Sequence, residues 1–264
     1  MLSAWMLVLI TAVGASALML ALWLLQRVRN DAGIVDIGWA FGLGAAALFY
    51  GVCGNGLPER RLLLACVAGF WGFRLAAYLF FRIWWKPEDG RYKTLRENRG
   101  GRAQRFFFYF FQFQALLIVL FSIPFLLAAS APGSLNRFDL LGAGIGIFSI
   151  FGEVTADVQL ARFRANAENR GKTCRAGLWR YSRHPNYFFE WMHWFAYPPM
   201  SLSIPAAYGW ASLLGPGLML LCLFWLTGIP YTERQAVKSR GEDYREYQRT
   251  TSMFVPWFPK RAKE

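Results

Sequence analysis

The chain has 264 residues, of which 55% are hydrophobic, 18% aromatic and only 17% charged, with a formal net charge of +13. That balance excludes a disordered or highly solvated chain and favours one continuous membrane body. Cys53, Cys66, Cys174 and Cys222 are scattered, with no CxxC pair and no metal-ligand spacing, so neither a disulfide framework nor a metal site is implied.

Apolar runs of about 18 or more residues can cross a hydrocarbon core of about 30 Å as helices. Such runs fall at 4–25, 33–53, 62–84, 106–129, 139–161, 187–204 and 207–229. They predict an all-α, polytopic bundle of about seven transmembrane helices, with 1–264 as a single integral membrane domain. The first run lacks a basic n-region and is long enough to span, which argues against a cleaved signal peptide. The sixth is the least regular, because it carries Glu190, His193 and Pro198-Pro199.

Basic residues follow the first, third and fifth runs and fill the tail, where Arg234, Lys238, Arg240, Arg245, Arg249, Lys260, Arg261 and Lys263 lie. The other connections hold Arg60, Arg61 and Arg137. This alternation places the N-terminus outside and the C-terminus in the cytoplasm. The positive charge therefore reads as topology and headgroup contact, with no nucleic acid as partner. The long polar connections 86–105, 162–186 and 230–264 share the cytoplasmic side, so a site open to the cytoplasm is expected. The host is a bacterial cytoplasmic membrane, or the endoplasmic reticulum in a eukaryote.

Two tempting motifs dissolve. Gly142-Ala143-Gly144-Ile145-Gly146 lies inside an apolar helix without the preceding strand that a dinucleotide fingerprint requires. Glu190-Trp191-Met192-His193 has di-iron spacing, but only one copy occurs and the chain has two histidines. No metal is expected.

Asp36, Glu153, Asp157, Glu190 and Arg74 sit within or at the edges of runs. Charged groups in hydrocarbon are costly and face inward, toward partners or a polar ligand. Glu153 and Asp157 share a helix face, and Arg164 lies two turns further on roughly that face. Two acceptors followed by a cation suit a ligand with hydroxyl or amide groups at one level and phosphates at the other. Lys172, Arg175 and Arg183, with Arg91, complete an anionic pocket.

The run Gly177-Leu178-Trp179 with Arg183-His184-Pro185-Asn186-Tyr187 and Glu190 resembles the C-terminal region of membrane steroid 5α-reductases, above all their bacterial relatives long filed as a domain of unknown function. Glu233, the stretch Glu242-Asp243-Tyr244-Arg245-Glu246-Tyr247, Asp36-Ile37-Gly38-Trp39 and Glu88-Asp89-Gly90-Arg91-Tyr92 extend the similarity over roughly 30–260, with the reductase-like core at about 139–260. The resemblance implies NADPH-dependent reduction of a carbon–carbon double bond conjugated to a carbonyl. By position it implies cofactor contacts at Asp157, Arg164, Tyr181, Asn186 and Glu190, and a phosphate contact at Arg91. Lys172, Arg183, His184 and Tyr244 join that set, as do Glu153 and Glu233, which replace the amide and the histidine usual in the steroid enzymes. The nicotinamide is expected near Asn186, Tyr187 and Glu190, making Tyr187 and Glu190 catalytic candidates. Asp36 is the nearest counterpart of the glutamate that holds the substrate ketone, and Trp71 stands at the position of the accompanying tyrosine. Asp36, Trp39, Trp71 and Arg74 are thus the expected substrate residues, and Asp36 the catalytic acid, kept protonated by burial. The partners are a lipophilic substrate from the bilayer and membrane lipids; the oligomeric state stays open. Two other readings stand: an S-adenosylmethionine-dependent membrane methyltransferase of the isoprenylcysteine or phospholipid type, which also carries Arg-His-Pro-x-Tyr, and a non-catalytic lipid-binding protein.

Overall fold

A computed structural model describes residues 2–226 and 228–260, so Arg261 and Lys263 of the basic tail lie outside the described residues. Among the described residues all regular structure is helical. The chain divides into two compact units, Met1–Ala143 with Tyr197–Gly215, and Gly144–Ala196 with Pro216–Glu264.

In the first unit, α1 (Ala4–Arg29) starts at Ser3, whose hydroxyl accepts from the Met6 amide, and stops at Asn30 in the left-handed region. The Glu88 carboxylate accepts from the Ala32 amide and Asp31 from that of Gly33, which fixes the turn into α2 (Ile34–Cys53). α2 packs on α3 (Pro58–Ile83), which contains a π-helical stretch at Ala65–Gly69. Their backbones meet at Gly44 and Gly72, where a Cβ on Gly72 would stand 2.6 Å from the Gly44 backbone. Only glycine permits that approach. α4 (Gly90–Arg99) leads into α5 (Ala103–Ser130), and α6 (Arg137–Ala165) carries the chain into the second unit. Trp39 meets Trp71 and Phe121 edge-on, with centroids 6.2 and 5.5 Å apart.

The second unit contains the remainder of α6, α7 (Pro185–His193), α8 (Leu214–Leu221) from Pro216 onward, α9 (Ile229–Arg240) and α10 (Glu242–Thr250). Among the described residues six helices are long and apolar enough to cross a membrane: Ala4–Arg29, Ile34–Cys53, Pro58–Ile83, Gly90–Ser130, Arg137–Ala165 and Ala207–Arg240. The molecule is a membrane-embedded, polytopic helical protein. The run expected to span at 187–204 is not one α-helix: α7 ends at His193, and a 3-10 segment at Trp194–Ala196 and a four-residue α-helical segment at Tyr197–Met200 follow. Pro198 and Pro199 supply no amide hydrogens and break the helical ladder there.

Candidate functional site

On α6, Glu153 and Asp157 are buried (3% and 6% exposed), whereas Arg164 near the helix end is exposed. Seven residues at 1.5 Å each separate Asp157 from Arg164 by about 10 Å along the axis. The following loop is clamped back onto this helix. Gly177 has φ +58, and any Cβ there would run into the Gln159 side chain, which explains the glycine. The Gln159 amide oxygen accepts from the Leu178 amide at 2.9 Å, and the Trp179 indole donates to the Ala156 carbonyl at 2.9 Å. α7 then opens with Pro185 at its first turn, and Asn186 donates to the Asp157 carboxylate at 3.2 Å. Asp157 and Asn186, both expected at the cofactor, are thus hydrogen-bonded to each other, with Tyr187 and Glu190 further along the same short helix.

Arg183, His184, Glu233 and Tyr244, all expected at the cofactor, are tied to one another. Glu233 accepts from Arg183 Nε at 2.6 Å, Gln248 at 2.7 Å, Tyr244 at 3.3 Å and lies 3.3 Å from His184 Nε2. Arg183 also donates to the carbonyls of Gln248 and Thr251 at 3.0 and 2.7 Å. A buried guanidinium needs such partners, and these hold the tail 251–258 against the segment 179–184. The Ser182 hydroxyl donates to the Phe254 carbonyl, the Trp257 amide to that of Tyr181, and the Tyr247 hydroxyl to those of Trp179 and Ser182. Tyr181 therefore anchors the tail through its backbone, and its ring meets Phe258 edge-on at 6.0 Å.

Burial lowers the pKa of His184 below its ordinary 6.5, with Arg183 acting in the same direction and Glu233 opposing. The folded state therefore binds this proton less readily than the unfolded chain does. Stability from the neutral ring is complete above about pH 6.5 and declines as the pH falls through the depressed folded value. Thermal melts should show a fall between pH 7 and pH 5 that flattens in His184→Gln; equal slopes in both proteins would contradict this assignment.

A second feature of this unit is an open cleft of about 610 Å³ lined by Arg164 at the end of α6, Arg170 and Lys172 on the loop, and Arg240 at the end of α9, together with Asn166, Asn169 and Ser239. Its lining includes no carboxylate. Arg170 and Arg240 were not among the expected site residues; the signals are Gly171, at φ +79 between two cations, and an arginine just before Gly241. Arg240 also stands over the Tyr244 ring, 5.1 Å from its centroid. Arg175, expected in the anionic pocket, points elsewhere and pairs with Asp243 and Glu246 at 2.9 and 3.0 Å. Cys174 also lines the cleft, and burial raises its thiol pKa, which keeps it protonated.

The family model described as Protein of unknown function (DUF1295) matches residues 22–251. The chain belongs to this family. No curated protein and no solved structure matches it. The DUF1295 match takes in the cleft, the Asp157–Asn186 pair and the Glu233 network, and it also covers a polar cluster in the first unit.

In that cluster the Tyr92 hydroxyl donates to Asp36 at 2.8 Å and Arg91 donates to the other Asp36 oxygen at 3.3 Å. Asp89 caps α4 through the Arg91 amide and binds its guanidinium at 3.1 Å. Each Asp36 oxygen thus has one partner, and the single Tyr92 hydroxyl proton is directed at Asp36. Arg91, expected on a phosphate, is paired with Asp36 and Asp89. Nothing in the sequence joins residues 36 and 92. Trp71 is fully buried, and Arg74 follows it by one turn on α3. Among the described residues no group of His, Cys, Asp and Glu is arranged to hold a metal ion; His193 of the Glu-x-x-His motif is buried 3.4 Å from the Ser149 hydroxyl.

Proposed function

We propose that this DUF1295 protein is an NADPH-dependent membrane oxidoreductase that reduces a carbon–carbon double bond conjugated to a carbonyl in a lipophilic, steroid-like or isoprenoid-like substrate. The observation that carries the reading is the cleft of Arg164, Arg170, Lys172 and Arg240, whose lining gives four cations and no acid. Guanidinium and ammonium groups gathered around one cleft suit a polyphosphate nucleotide. S-adenosylmethionine, whose only anionic group is a carboxylate, does not require that number.

NADPH, when bound, supplies the hydride. Arg164, Arg170, Lys172 and Arg240 hold its phosphates, while Asn186, oriented by Asp157, offers an amide for hydrogen bonding to the nicotinamide end. Tyr187 and Glu190 follow Asn186 on α7 and complete that end. In the first unit, the Tyr92 hydroxyl, which rests on Asp36, is the candidate donor that turns to the substrate carbonyl oxygen and stabilises negative charge there. Arg91 fixes the Asp36 carboxylate. Trp39, Trp71 and Arg74 are the proposed substrate residues. The positive-inside pattern puts the N-terminus outside and the cleft in the cytoplasm, where NADPH is available.

The test is NADPH oxidation by the purified chain in detergent, followed against a panel of lipophilic enones. At least one enone should accelerate oxidation, and Tyr92→Phe should lower kcat about a hundredfold, the low end of general acid catalysis. Absence of enone-dependent oxidation across the panel, with thermal stabilisation by S-adenosylmethionine instead, would overturn the assignment.

A further inference from the structure

An apolar cavity of about 270 Å³ opens in the first unit, walled by Ile10, Gly14 and Leu18 of α1 and by Phe41, Ala45 and Phe49 of α2, with Ile118 of α5 among its lining residues. Small residues create it: Gly14 has nothing within 4 Å of where its Cβ would stand. Thr11, the one hydroxyl of the lining, donates to the Leu7 carbonyl at 3.0 Å, so the walls present hydrocarbon. Ile10 and Phe41 at its rim are 45% and 46% exposed, on helices apolar enough to lie in a bilayer. A cleft of this character opening onto a bilayer is filled by hydrocarbon rather than water.

We infer that this groove holds one acyl chain of a bilayer phospholipid. The size fits: at roughly 30 Å³ per water-sized group, the space takes about nine methylenes. At 1.5 Å per residue, Ile10 to Leu18 lie about 9 to 21 Å from the start of α1, so the groove begins within one leaflet and reaches past the midplane of a core of about 30 Å, the depth of the end of an acyl chain. At that end of the unit Asn55 ties the segment after α2 to Leu2, and Arg61 donates to the Gly54 carbonyl, so a cation stands at the end where α1 begins and is the proposed partner of an anionic headgroup. The occupant is not the tail of a substrate held at Asp36. Phe41, Ala45 and Phe49 fall about 140° to 220° around α2 from Asp36 at 3.6 residues per turn, on the opposite side of the helix.

Native mass spectrometry of the full chain in mild detergent with added phosphatidylglycerol tests the inference. The wild-type chain should retain one phospholipid. Gly14→Leu and Ala45→Leu, which fill the groove from opposite walls, should each lower the retained fraction about tenfold. Gly144→Leu, at another glycine with open space, should leave retention unchanged. Because these variants leave the basic cleft untouched, the result is independent of NADPH binding. Wild-type retention in both groove variants, no retained lipid in the wild-type chain, or occupation of this face by a second copy of the chain would each overturn it.

Discussion

Arg60→Met is expected to destabilise the protein by about 3–5 kcal/mol, the cost of breaking a buried ion pair from one side. Arg60 and Asp139 are each 1% exposed and joined by two bonds, Nε to Oδ1 at 2.6 Å and Nη2 to Oδ2 at 2.9 Å. The same guanidinium donates to the carbonyls of Ala131, Pro132 and Ser134 at 2.7, 3.2 and 3.0 Å. It therefore ties the start of α3 to the whole turn between α5 and α6. Methionine keeps the aliphatic stem but leaves a buried carboxylate and three carbonyls without their donor. Adding Asp139→Leu should recover much of the loss, because the uncompensated charge disappears. Thermal or denaturant unfolding in detergent measures both effects. A loss below about 1 kcal/mol in Arg60→Met would mean that the pair contributes no more than a surface bridge.

The second large effect falls on nucleotide affinity. A charge-assisted hydrogen bond contributes about 1.5–3 kcal/mol, or roughly tenfold to a hundredfold in affinity. Arg164→Ala with Lys172→Ala should accordingly weaken NADPH binding by at least about a hundredfold, provided the two act independently. Arg249→Ala is the control, since that cation is engaged with Glu242 at 2.7 Å on exposed α10. Arg175→Ala separates loop position from charge. Its guanidinium is committed to Asp243 and Glu246, so any effect should come through the loop and remain smaller than that of the cleft pair.

Length and hydropathy made most of the helices legible in the sequence, because a 20-residue apolar run leaves the backbone few alternatives. The exception, 187–204, was read by its apolar content while Pro198 and Pro199 fix its backbone. The α6 ladder was equally legible, since Glu153, Asp157 and Arg164 follow from helical periodicity alone. What periodicity does not encode is the partner across the fold. Arg183 and Glu233 are 50 positions apart, and Asp36 and Tyr92 are 56 apart. The sequence presented Arg183, Arg175 and Arg91 as equivalent cations on polar loops, and the fold distinguishes them by supplying each with carboxylates. Arg240 is the converse case: the loop residues it faces across the cleft lie about seventy positions away, beyond the reach of periodicity.

Direct titration of the purified full-length chain with NADPH tests the central claim, that four cations at the ends of α6 and α9 and on the intervening loop form a polyphosphate site. Saturable binding is expected, weakened by salt and reduced at least about a hundredfold by Arg164→Ala with Lys172→Ala. An affinity unchanged in that double variant, or no saturable binding to the folded wild-type protein, would contradict the account.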